Sequence, residues 1–198
     1  MALVVVLSAT AACVAQEQPV ARDAATEEKP VPRDAAAQEQ PVISDAEVLA
    51  DFNARLNTYV EMRKKADDTV PAQKNTNDAR VISSAQQGLA DRIRTARAGA
   101  KAGDIFTPEI AAKFRRLLRP EAGPETKAAI RDDNPGTIPF KVNGAYPEKE
   151  TLSTVPPNVL QVLPKLSPDI EYRFVGKHLI LRDSRSNLII DYMLNAIP

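Results

Sequence analysis

The chain has 198 residues, 26 of them basic and 26 acidic, so its formal net charge is zero. That balance gives no overall attraction to nucleic acid or to a membrane surface, and the length suits one domain with an appendage. Aromatic content is 5% and tryptophan is absent, which leaves a modest core built mostly from aliphatic side chains.

The chain opens MALVVVLSATAACVAQ, a short apolar run from Leu3 to Leu7 followed by small residues. This is the pattern of the hydrophobic and cleavage regions of a signal peptide. The usual basic residues ahead of the run are missing, as expected if the true start lies upstream. Cleavage after Ala15 is expected, which makes residues 1–15 the signal peptide and the mature chain exported, periplasmic or extracellular. Cys13, preceded by Thr-Ala-Ala, offers a second outcome in which the chain is lipid-anchored through that residue. A membrane-spanning helix requires about 20 apolar residues, and no stretch of the sequence provides them. Cys13 is the only cysteine, so a chain cut after Ala15 excludes disulfides, thiol nucleophiles and cysteine metal sites.

Residues 16–48 repeat with a period of eleven: QEQPVARDAAT, EEKPVPRDAAA and QEQPVISDAEV. An eleven-residue period suits a right-handed coiled coil, but the proline at the fourth position of every unit blocks a continuous helix. Residues 16–47 hold eight acids against three bases. Proline, charge and low hydrophobicity predict a disordered acidic linker over 16–43.

The folded part is expected over 44–198. Ser44 and Glu47 form a capping-box pattern that opens a helix, with Leu49, Phe52, Leu56, Tyr59 and Val60 on its apolar stripe and an end near Asp67. TVPAQKNTND connects it to a second helix whose inner face is Ile82, Ala85, Leu89, Ile93, Ala96 and Ala100, with Gly103 as the stop. Thr107 as N-cap and Pro108 at the first helical position begin a third helix, with Ile110, Phe114, Leu117 and Leu118 facing inward. A fourth covers Pro124 to Arg131.

After DDNPG the period changes. IPFKVNGAYP reads as two extended segments around an Asn143-Gly144 turn, confined by Pro139 and Pro147 to a sheet edge. PPNVLQVL is a short helix. The stretch EYRFVGKHLILRDSRSNLIIDY, residues 171–192, then forms three antiparallel strands. Gly176-Lys177 suits a two-residue hairpin loop, which pairs Glu171 with Arg182, Tyr172 with Leu181 and Phe174 with Leu179. SRSN closes the second hairpin and pairs Leu181 with Ile190 and Leu179 with Tyr192. One face is then apolar. The other carries Glu171, Arg173, His178 and Arg182, with Asp191 diagonal to the histidine.

The expected fold class is therefore α+β: three or four N-terminal helices (44–131), then a strand-rich part (137–198) with a small three-stranded antiparallel sheet. His178, the single histidine, lacks a partner nucleophile, and no Gly-x-Ser-x-Gly elbow is present. One histidine is also a poor start for a zinc site. No catalytic residue, metal ligand or cofactor is assigned. Residues 80–120 hold nine bases against three acids, and Arg92, Arg94, Arg97, Arg115, Arg116 and Arg119 are the candidate binding residues for an anionic partner. The same residues also suit a plain solvated helix face. No nucleic-acid module is recognisable.

GDIFTPEIAAKFRRLL, together with the block from LSTVPPNVLQVLPKLSPDIEYRFVGKHLILRD to the C-terminus, resembles a group of uncharacterised exported bacterial proteins. The likeness covers about residues 45–198 and implies export and the α+β class. LPKLSPDIEYRFVGKHLILRD is also similar, more faintly, to the C-terminal hairpin of small periplasmic proteins of nickel and cobalt homeostasis. The expected function is that of a non-catalytic envelope protein that binds another macromolecule, a protein or an anionic surface. The alternatives are a hydrolase working through paired carboxylates, Asp132 with Asp133 or Asp183 with Asp191, and binding of anionic lipid or polyanion through the basic helices.

Overall fold

A computed structural model describes residues 44–68, 77–132, 134, 136 and 138–198. They belong to one compact unit, Pro41–Pro198. The signal peptide and linker expected over 1–43, most of the first helix connection and Asp133 lie outside the described residues. Five helices precede a three-stranded sheet: α1 (Asp45–Asp68), α2 (Ala79–Ala96), α3 (Pro108–Glu121), α4 (Pro124–Asp132) and α5 (Pro157–Val162), then β1 (Ile170–Val175), β2 (His178–Asp183) and β3 (Leu188–Met193). The expected α+β architecture is therefore the observed one.

α1 starts where its cap dictates. The Ser44 backbone N–H donates to the Glu47 carboxylate at 2.7 Å, and the Glu47 N–H donates to Ser44 Oγ at 3.2 Å. These bonds hold the Glu47 carboxyl below its usual range. The buried side of the helix is Val48, Phe52, Leu56, Tyr59, Val60, Arg63 and Ala66, so the stripe begins one residue before the expected Leu49, which packs half-buried against the same core, and it includes one arginine. α3 begins as expected, with Thr107 accepting the Ile110 N–H at 3.4 Å and proline in the first turn. Its buried residues are Ile110, Ala111, Phe114 and Leu118.

α2 departs from the expected pattern. It ends at Ala96, short of Gly103, and buries Leu89, Ala90 and Ile93. Ile82 is 52% exposed. A helical apolar stripe states which side a neighbour would cover, but not whether a neighbour reaches it.

An aromatic cluster joins the helices to the sheet. Phe52 of α1 lies 6.0 Å from Phe106 and 4.9 Å from Phe114 of α3, and Phe114 is 6.2 Å from Tyr172 of β1, centroid to centroid. Such ring pairs add to plain area burial. The inner sheet face, with Tyr172, Phe174, Leu179 and Leu181, belongs to this core.

The sheet order is β1-β2-β3. In the first hairpin the pairs are Glu171 with Arg182, Tyr172 with Leu181 and Phe174 with Leu179, as the two-residue loop requires. The second hairpin begins in the expected register, Asp183 with Leu188 and Arg182 with Ile189, and then shifts. Leu181 pairs with Asp191 and Leu179 with Met193, not with Ile190 and Tyr192. Ile190 is thus the extra residue of a β-bulge. The bulge places Ile190 in the main core and leaves Tyr192 to pack with a second, smaller cluster.

That second cluster corrects the expectation of a simply polar outer face. Ile138, Tyr146, Val175, Ile180 and Ile189 are buried there, with Phe140 and Tyr192 packed against them. The cover is the 138–146 segment. Of the two extended segments expected at a sheet edge it makes one bridge, Ala145 with Leu188 of β3, and no named strand. Its turn is made at Asn143, whose φ is 61°, and the Gly144 N–H closes it on the Lys141 carbonyl at 3.0 Å. A Cβ at Gly144 would fall 2.9 Å from that carbonyl oxygen, so glycine is required there.

Candidate functional site

The groups that carry chemistry are mostly employed within the fold. The Asp191 carboxylate is fully buried. It accepts backbone N–H groups from Gly103 at 3.0 Å, Ile105 at 2.7 Å, Phe106 at 2.8 Å and its own neighbour Tyr192 at 2.8 Å. Gly103, at φ 90°, turns the loop so that its amides converge on one carboxylate. The bulge is what points Asp191 inward, so it does not adjoin His178 as the unshifted register implied.

His178 sits at the start of β2 with its ring 5.8 Å from Phe140, and Nδ1 accepts the Asn195 N–H at 2.9 Å. Burial, then the charge of Lys177, lowers its pKa. Asp183 is also fully buried. It accepts the Tyr59 hydroxyl at 2.7 Å and the N–H groups of Arg185 at 2.9 Å and Ser186 at 3.2 Å. Burial, then the charge of Asp183, raises the pKa of Tyr59. Arg63 approaches Asp183 at 3.7 Å and pairs with Asp169 at 2.8 Å. Asp183 and Asp191 are therefore each surrounded by internal donors. Asp132 is exposed at the end of α4.

The six candidate arginines divide between two situations. Arg97 donates from both terminal nitrogens to the Ile190 carbonyl at 3.1 Å, which takes up the acceptor freed by the bulge. It also reaches Asn143 Oδ1 at 3.0 Å and lies 5.1 Å over the Tyr59 ring. Burial lowers its pKa. Arg94 donates to the Asn143 carbonyl at 3.1 Å, and Arg92 to the Ala66 carbonyl at 2.9 Å. These three pin α2 to its surroundings. Arg115, Arg116 and Arg119 are instead exposed on α3.

The sequence did not point to a large concavity among the described residues. Between α1 and α2 runs an open trough of about 960 Å³. Its apolar lining is buried Ala66, half-buried Met62 and exposed Ala54 and Ala96, and exposed Asn57, Glu61, Lys65, Asp91 and Thr95 form its polar rim. It adjoins a smaller hollow of about 360 Å³ that shares Thr58, Met62 and Ala96 and ends against Arg97 and Asp104. Alanines at 54 and 96 are the one signal in the sequence: small residues on two facing helices leave room. The rim is mixed in sign. Glu61 is 3.3 Å from Lys64, and Asp91 is 2.7 Å from Arg94.

On the other side of the sheet Glu171 is held between Arg182 and Arg173, the latter at 2.6 Å. Burial pushes its carboxyl up, but the two hydrogen bonds and charges outweigh this and leave it below the usual range. Arg182 also covers the Tyr146 ring at 5.6 Å. Among the described residues no group of three or more histidine, cysteine or acidic side chains could hold a metal ion. No helix among them is long and apolar enough to cross a membrane. Comparison with protein-family models, with curated proteins and with solved structures finds no significant match.

Proposed function

We propose that this chain is an exported, non-catalytic envelope protein that binds another macromolecule, and that the α1–α2 trough receives a helical segment of a polypeptide partner. The observation that carries this reading is the trough itself, with its small apolar lining residues and its rim of both charges. A helix with a narrow apolar ridge is the shape such a groove accepts, and ridge-in-groove burial supplies the affinity. Because Glu61 and Asp91 already have basic neighbours, the charge complementarity asked of the partner is local: residues of either sign flanking one apolar row. Binding is then expected to respond weakly to salt. Export is supported by the apolar run and small residues at the N-terminus.

The test is site-specific photocrosslinking in the producing cell. A photoreactive side chain at Asn57, on the rim, should give one adduct of defined mass, and one at Lys127, on α4, should not. Met62→Glu should abolish the Asn57 adduct while the purified variant keeps its helical circular dichroism and cooperative melting. An equal adduct at both positions, or an adduct that survives Met62→Glu, would refute the trough as the docking site.

A further inference from the structure

α3 sorts its residues by the helical repeat. Burial of Ile110, Ala111, Phe114 and Leu118 turns Arg115, Arg116 and Arg119 outward, with Lys113 half-buried beside them. These four cations span two turns, about 9 Å along the axis at 1.5 Å per residue. Asp45 is the acid among them. It takes Lys113 at 2.6 Å and Arg116 at 2.8 Å, and these hydrogen bonds hold its carboxyl below the usual range. One acid offsets one of the four charges. Arg115 donates to the carbonyl oxygens of Asn195 at 3.1 Å and Leu194 at 2.8 Å, which fix its position without neutralising it. Among the described residues the Arg119 guanidinium has no ion-pair partner.

Arg115 therefore stands next to Leu194, a large aliphatic side chain left 49% exposed. Spread cations on a convex helix, with an apolar side chain at their edge, do not converge on a single small anion. They match a surface that is anionic over an area and apolar just beneath it. The stripe begins beside Asp45, the first helical residue after the N-terminal segment whose Cys13 is the candidate lipidation site.

We propose that the outer face of α3, through Arg115, Arg116 and Arg119 with Leu194 at its edge, rests on an anionic lipid surface. This surface is separate from the α1–α2 trough and does not depend on the trough having a partner. It also narrows the basic helices of the sequence to one: α3 supplies the charge, while Arg92, Arg94 and Arg97 of the α2 region hold the fold together.

The experiment is sedimentation of the full purified chain with vesicles of phosphatidylcholine, alone or mixed in equal parts with phosphatidylglycerol. Any contribution of the N-terminal apolar run is common to both vesicles, so the difference between them reports charge. Each arginine at an anionic surface is worth about 1 kcal/mol, which is about fivefold in affinity. The double variant Arg116→Gln/Arg119→Gln should lose about 25-fold on the anionic vesicles and nothing on the neutral ones. Arg119→Gln alone, which disturbs no ion pair, should lose about fivefold. Arg80→Gln, an exposed arginine on α2 that is 93% accessible, should change little, and Leu194→Ser should weaken anionic binding further. Equal partition to both vesicles, or an Arg80→Gln loss as large as that of Arg119→Gln, would overturn the proposal. So would polyglutamate competing the chain off anionic vesicles while Leu194→Ser stays silent, which would assign the face to an acidic polypeptide instead.

Discussion

Asp191→Ala removes one side chain and orphans a loop. In the parent, Oδ2 accepts the Ile105 and Phe106 N–H groups at 2.7 and 2.8 Å, and Oδ1 accepts Gly103 at 3.0 Å. Ile105 and Phe106 are each 3% exposed, so water cannot readily replace the lost acceptor. At about 2 kcal/mol for each buried donor left unpaired, the two together cost about 4 kcal/mol. Against a domain stability of about 5–15 kcal/mol, that is a large fraction. With a urea slope of about 2 kcal/mol/M, the unfolding midpoint should fall by about 2 M. Asp191→Asn should cost nearly as much, because its amide nitrogen presents a donor to one set of donors. Equilibrium urea unfolding followed by far-ultraviolet circular dichroism measures the midpoint, and hydrogen exchange at Ile105 and Phe106 reports the loop directly. A loss below about 1 kcal/mol, the size of an ordinary substitution, would refute the assignment of Asp191 as the anchor of this loop. So would unchanged protection of those two amides.

Three further outcomes follow from the same geometry. Asn143 holds φ 61°, donates from Nδ2 to the Arg97 carbonyl at 2.8 Å and accepts from Arg97 on Oδ1; Asn143→Ala should cost about 2–3 kcal/mol in urea unfolding, and Asn143→Gly about 1 kcal/mol less, because glycine tolerates the dihedral. The neutral His178 ring accepts the Asn195 N–H, and its folded pKa lies below the ordinary 6.5. The unfolded chain therefore binds the proton first as pH falls: the contribution is complete above about pH 6.5 and is lost as pH drops through the lower folded value. Urea midpoints of the parent and His178→Ala should accordingly converge on acidification, and a gap that stays constant with pH would contradict this. Finally, Ser44→Ala removes half of the capping box of α1 and should lower stability by about 1 kcal/mol by the same assay, with Glu47→Ala behaving similarly if the two bonds act together.

What the sequence determined by itself was local. Ser44 with Glu47, and Thr107 with Pro108, start helices because a cap is satisfied within three residues. The β1–β2 register follows from Gly176-Lys177, since a two-residue loop leaves no freedom in pairing. SRSN likewise set the first two pairs of the second hairpin. The tertiary structure decided the rest of that hairpin. The bulge at Ile190 frees a carbonyl that Arg97, 93 residues earlier, takes up, and it turns Asp191 toward the amides of Gly103, Ile105 and Phe106. Alternation along β3 cannot reveal this, because a buried carboxylate is tolerable only if distant donors meet it. The sorting of the arginines has the same cause. Charge counting found them all, but only packing tells a guanidinium bound to a carbonyl inside the fold, as at Arg97, from one facing solvent, as at Arg119. The trough between α1 and α2 was equally illegible, since its width depends on how two helices cross and what lies between them, which no single helix's residue spacing records.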